Sequence, residues 1–144
     1  MQAVSVKVGE RYGPEYVNQL YKQLLSFDKN IVYYCMTDNA EGLNKNIEIL
    51  PVKDEFGDRK WWTKIELFKP GLFKEATLYF DLDCFIHLDP SVFLQDAIRD
   101  KLGVLKTYWF SSDIATKMHQ CTINTSVMKI NAYNCEPLWK DCIL

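Results

Sequence analysis

A chain of 144 residues with 48% hydrophobic and 25% charged side chains is a single globular domain, neither disordered nor fibrous, and buries about 70% of its unfolded surface. A net charge of −2 and a pI near 5.7 argue against general nucleic-acid binding. No signal peptide opens the sequence and no apolar run approaches the ~20 residues of a membrane span, so a cytoplasmic protein is expected. The cysteines at 35, 84, 121, 135 and 142 are odd in number and form no C-x-x-C pair. They read as reduced, mostly buried thiols.

Strand and helix alternate along the chain. Val4, Val6 and Val8 alternate with Ala3, Ser5 and Lys7, which predicts a strand over residues 3–8. A loop from Gly9 to Gly13 leads to Pro14, which suits the first turn of a helix because its missing N–H is an orphan there anyway. Val17, Leu20, Tyr21 and Leu24 then share one helical face. Ile31 to Met36 is a near-continuous apolar run, as expected of a strand covered on both faces. Ile47 to Leu50 is a short strand ended by Pro51, and residues 53–60 form a charged, mobile segment. A short helix from Trp61 puts Trp61, Ile65 and Phe68 on one face and stops at Pro70-Gly71. Asp89-Pro90-Ser91 has the form of a helix start with Asp89 as N-cap. Strands over 103–110 and 125–130, and a last helix from Glu136, complete the reading.

The stretch Leu78-Tyr79-Phe80-Asp81-Leu82-Asp83 carries the chemistry. Along a strand side chains alternate faces, so Asp81 and Asp83 point the same way, with Cα atoms roughly 7 Å apart. Both can then address one divalent cation. An unpaired buried charge costs several kcal/mol, so either a positive group sits between them or the strand ends there, at a crevice. Alternating strands and helices predict a three-layer α/β/α domain with a mainly parallel sheet. Ligands of such sheets bind at the carboxyl ends of the strands, where Gly9–Gly13, Thr37-Asp38 and the acidic pair all fall.

This ordered set of residues resembles the nucleotide-sugar glycosyltransferases of the GT-A (Rossmann-like) fold, especially the family 8 group with glycogenin-like enzymes. The similarity runs over about 130 residues: the opening strand, Tyr12, Val17-Asn18 with Leu20, Cys35-Met36-Thr37-Asp38, the stretch Trp61 to Phe68, the D-x-D of Asp81 and Asp83, and Asn124-Thr125-Ser126-Val127-Met128. The resemblance implies a metal-dependent transferase that takes a sugar from a UDP-sugar donor to a sugar, lipid or protein acceptor that the sequence leaves open. Asp83 would bind Mn²⁺ or Mg²⁺ directly, and Asp81 would bind metal and ribose together. Tyr12 would stack on the uracil ring, Lys64 would lie over the diphosphate, and Asp38 would meet base or ribose. Asn124 and Ser126 would face the acceptor.

Each assignment has a plainer alternative. Asp81 and Asp83 end a strand in water, Lys64 is a solvated helix lysine, Tyr12 packs on the first helix, and Asp38 is a turn aspartate bonded to its own backbone. Trp61 and Trp62 read as core and pocket wall, His87 and His119 as structural histidines, and Cys84 as packing. Lys53, Arg59 and Lys60 either close over phosphates or belong to a solvated loop. The family's enzymes are longer, and their C-terminal part supplies a histidine that completes the metal site. The resemblance therefore implies a domain shortened at its C-terminus, and no catalytic base is assigned. Two rival functions follow: a non-catalytic nucleotide-binding remnant, and a haloacid-dehalogenase-like phosphatase. The phosphatases carry Thr or Val two residues after the second Asp, where this chain has Phe85.

Overall fold

The computed structural model describes residues 1–52, 60–95, 101–106, 123–131 and 135–143. The expectations for 53–59, 107–110, His119 and Cys121 lie outside them. The elements are β1 (Gln2–Lys7), α1 (Pro14–Phe27), β2 (Val32–Thr37), β3 (Glu48–Pro51), a 3₁₀ segment (Lys60–Phe68), β4 (Thr77–Phe80), a short 3₁₀ turn (Pro90–Leu94), β5 (Gly103–Lys106), β6 (Ile123–Ile130) and α2 (Glu136–Ile143). The strands form one sheet in the order β3-β2-β1-β4-β6-β5. β1, β2, β3 and β4 pair in parallel, and β6 runs antiparallel to both β4 and β5. This is the mixed, mostly parallel α/β sheet that the alternation predicts. Among the described residues, no helix is long and apolar enough to cross a membrane.

Side-chain alternation along the strands builds two cores on opposite faces of the sheet. Ala3, Leu78 and Phe80 join Val17, Leu20, Tyr21 and Leu24 of α1 in one cluster. Val4 and Tyr79 join Met36, Leu67, Phe73, Met128 and Ile130 in the other. Burying each large apolar side chain contributes about 1.5–3 kcal/mol. The four predicted positions of α1 are the buried ones, and Tyr21 stacks on Tyr33 with ring centroids 5.7 Å apart. Cys135, at the entrance to α2, belongs to the second cluster, and Lys69 lies 6.0 Å from the Trp139 ring.

Three local expectations are corrected. Pro51 does not end β3 but belongs to it, opposite Thr37. β3 is an edge strand, where a missing N–H need not interrupt the ladder. The segment after residue 60 is 3₁₀ rather than α, and among its described side chains Thr63 and Leu67 are buried, with Ile65 and Phe68 only half-buried. A 3.0-residue turn rotates the inward face away from the one a 3.6-residue period selects. Trp62 is 44% exposed and is not core. By contrast, Asp89 caps Pro90–Leu94 as predicted, its Oδ1 accepting from the Ser91 N–H at 2.9 Å.

The loop after β2 is tied down from two sides. Asn18 of α1 donates to the Gly42 carbonyl (2.9 Å) and accepts from the Asn44 N–H (2.8 Å). Lys7, buried at the end of β1, donates to the Asn39 carbonyl at 3.3 Å. Gly42 has φ of 77° and lies so close to Pro14 that a Cβ there would come within 2.8 Å of the ring. Only glycine meets both demands.

Candidate functional site

The acidic pair lies at the carboxyl edge of the sheet, but it is not part of a strand. β4 ends at Phe80, and residues 81–83 begin a turn closed by the Cys84 N–H donating to the Asp81 carbonyl at 3.1 Å. The two carboxylates reach one cleft because the chain turns, with Leu82 buried between them. The Asp81 N–H donates to the Ser126 carbonyl (2.8 Å), and the Ser126 N–H in turn donates to Asn124 Oδ1 (2.8 Å). β6 thus braces the turn through its backbone. Neither Asn124 nor Ser126 lines the cleft.

That cleft has a volume of about 430 Å³. Val6, Val8 and Leu82 give it an apolar wall, Tyr12 and Tyr79 supply rings, and its charged residues are Glu10, Arg11, Lys64, Asp81 and Asp83. Tyr12, Lys64, Asp81 and Asp83 therefore line one cleft, and Asp38, expected to join them, does not. The Tyr12 hydroxyl donates to Asp83 Oδ2 at 3.2 Å, and the ring meets Tyr16 edge-on at 5.0 Å. Burial, and then the Asp83 charge, push the Tyr12 phenol above its ordinary range, so it stays a donor at neutral pH. Asp38 is absent from the cleft wall. Its Oδ2 accepts from the Gly9 N–H at 3.0 Å, joining the loops that follow β1 and β2. It is a turn aspartate, bonded to a neighbouring loop rather than to its own.

Lys64 is not a solvated lysine. Its Nζ lies 2.5 Å from Asp81 Oδ1 and 5.1 Å from the Tyr79 ring centroid. The same carboxylate oxygen accepts the Tyr79 hydroxyl. Both possibilities raised by the acidic run hold together: the strand ends, and a cation sits on one carboxylate. Sequence reasoning missed Tyr79, although it lies only two residues before Asp81, near the end of the strand that leads into the acidic turn. It also missed Arg11, whose guanidinium lies 5.3 Å from the Tyr12 ring centroid. A basic residue beside the proposed stacking tyrosine was the available signal.

The donor set suits a hard divalent ion. Asp81 and Asp83 offer carboxylate oxygens, the ligands such an ion takes. Burial, followed by the two carboxylates, pushes Cys84 up to about 11, and its Sγ lies 3.5 Å from the Ser126 carbonyl. Among the described residues, no group of three or more His, Cys, Asp or Glu could hold a metal. His87 packs on Phe85, with ring centroids 4.6 Å apart. Two carboxylates completed by substrate phosphates and water is a pattern Mg²⁺ uses.

An active-site mutant of LgtC superposes with a TM-score of 0.70 at 15% identity, covering 97% of this chain and 59% of that one. The galactosyltransferase LgtC in complex with donor and acceptor sugar analogues gives 0.65 at 15% identity, covering 99% and 64%. The fold is that of the GT-A glycosyltransferases. The apo form of the glycosyltransferase GlyE from Streptococcus pneumoniae TIGR4 agrees, with a TM-score of 0.67 at 14% identity and coverage of 99% and 37%. The chain thus spans less than two thirds of the length of each of these structures. No protein-family model and no curated protein matches it in sequence.

Proposed function

We propose that the chain is a glycosyltransferase domain, of the kind grouped around family 8, that binds a UDP-sugar and transfers its sugar. The observation that carries this reading is the turn bearing Asp81 and Asp83, set at the carboxyl edge of a GT-A sheet inside a cleft shared with Lys64 and Tyr12. LgtC, of the same fold, holds donor and acceptor sugar analogues.

Asp81 and Asp83 would hold Mn²⁺ or Mg²⁺, which as a Lewis acid neutralises charge developing on the departing diphosphate. Tyr12 offers a ring for the base, and its hydroxyl orients Asp83. Lys64 supplies a point charge for a phosphate oxygen, and Tyr79 fixes Asp81. Asp38 acts on the base only through Gly9, whose loop it holds. Asn124 and Ser126 position the acidic turn from the acceptor side. The fold favours this reading over the phosphatase alternative.

Calorimetric titration with UDP, in Mn²⁺ and in EDTA, tests it. Wild type should bind micromolar UDP in Mn²⁺ and lose most of that affinity in EDTA. Without the metal the diphosphate meets the Asp83 carboxylate, which is held by the neutral Tyr12 hydroxyl, and unit charges 4 Å apart at an effective dielectric near 20 interact by about 4 kcal/mol. Asp83→Asn keeps the shape and removes the charge, so it should abolish the metal-dependent part alone. Equal binding in both buffers would show that the acidic pair is merely a strand end. A transfer or hydrolysis assay with UDP-sugars separates an enzyme from a nucleotide-binding remnant.

A further inference from the structure

We infer that Lys64 is an internal cation sharing Asp81 with the divalent ion, so that metal and nucleotide each strengthen the other's binding by moving this one ammonium group. The inference rests on the functional reading above and goes beyond it.

The two carboxylates are held in different ways. Asp83 faces a neutral donor, the Tyr12 hydroxyl. Asp81 faces a full positive charge at 2.5 Å, with the side chains of Lys64 and Asp81 only 27% and 24% exposed. A divalent ion placed on Asp81 and Asp83 would therefore meet a like charge already seated on one of its ligands. Poor solvation leaves that repulsion only partly screened. Lys64 has a way out. Its ammonium rides on a flexible four-carbon stem and is not committed to a bidentate geometry. Asp81 keeps its place without it, because the Tyr79 hydroxyl and the backbone bond to Ser126 hold the carboxylate and its turn independently.

Moving Lys64 off Asp81 leaves an ammonium at the cleft wall without its carboxylate, which is unfavourable in the absence of an anion. A diphosphate supplies that anion. Metal alone therefore binds against Lys64, and nucleotide alone finds Lys64 occupied by Asp81. Together they exchange one ion pair for two. Such coupling is reciprocal by thermodynamic necessity.

The test measures free Mn²⁺ by its electron paramagnetic resonance signal, with and without UDP, for wild type, Lys64→Gln and Lys64→Arg. Circular dichroism checks that each is folded. For Lys64→Gln, Mn²⁺ alone should bind about tenfold tighter, while UDP at saturating Mn²⁺ should bind about tenfold weaker, each about 1.4 kcal/mol. A lysine with only a structural role would not move the two affinities in opposite directions. Lys64→Arg keeps the charge and should match wild type for Mn²⁺ alone. In wild type, UDP should raise Mn²⁺ affinity at least tenfold, and independent binding there overturns the inference without any variant. Equal Mn²⁺ affinity in wild type and Lys64→Gln overturns it and leaves the functional reading standing. No Mn²⁺ binding by either protein, even with UDP, overturns both.

Discussion

Replacing Tyr79 by Phe removes one hydroxyl from a buried ring and leaves the packing volume almost unchanged. Tyr79 is 1% exposed, and its hydroxyl donates to Asp81. Burial, reinforced by the Asp81 charge, drives its ionisation far above the ordinary tyrosine range, so it remains a donor. A hydrogen bond to a charged group contributes about 1.5–3 kcal/mol. Asp81 is 24% exposed and keeps Lys64, so water and the ammonium replace part of the loss. The expected cost is at the low end, about 1.5 kcal/mol. In a domain of this size that lowers the melting temperature by about 3–6 °C. Urea unfolding followed by tryptophan fluorescence measures it. The decisive comparison is a double-mutant cycle with Asp81→Ala. Without the acceptor, Tyr79→Phe should cost almost nothing, giving a coupling of about 1 kcal/mol or more. An unchanged cost in the Asp81→Ala background would refute the argument that Tyr79 acts through Asp81.

Two further outcomes are expected. Asn18→Ala should speed amide exchange around residues 42–44 while lowering global stability by only about 1 kcal/mol, because its two bonds tie an exposed loop; protection unchanged at Asn44 would contradict this. Burial pushes the Cys35 thiol up to about 11, above its unfolded value. The stability it contributes is therefore complete below about pH 8.5 and is lost as pH rises through about 11. Urea melts between pH 9 and 11 should show a shallower decline for Cys35→Ala, by about 2 kcal/mol across the window, and parallel slopes would exclude the thiol as a source.

Local signals in the sequence located most of the elements. The period of α1, the alternation of β1 and the apolar run of β2 follow from local pattern, and the carboxyl-edge position of Asp81 follows from topology. What was illegible depends on tertiary partners. Lys64 could not be told from a surface lysine, because its partner is in a different element. Asp38 could not be given to Gly9, nor Ser126 to the Asp81 N–H, since both bonds connect distant loops. The 3₁₀ winding after Lys60 shifted its inner face, so Trp62 points to solvent and Thr63 inward. Strand alternation gave the right convergence of the two aspartates for the wrong reason, because a turn brings them together.

The pairing of β4 beside β1 also has a kinetic consequence. The first three strands and α1 are contiguous in sequence, whereas Thr77 meets Gln2 across 75 residues and Tyr12 meets Asp83 across 71. Distant contacts form slowly, because loop closure must precede any gain from them. The cleft is thus expected to be assembled after the folding barrier is crossed. A nucleotide bridging the Tyr12 loop and the acidic turn would then fasten contacts absent from the transition state. It should slow unfolding much more than it speeds folding, and a stopped-flow chevron in which UDP moved only the folding arm would exclude this order. In the cell, occupancy of this cleft would set how long each folded molecule lasts rather than how quickly new ones appear.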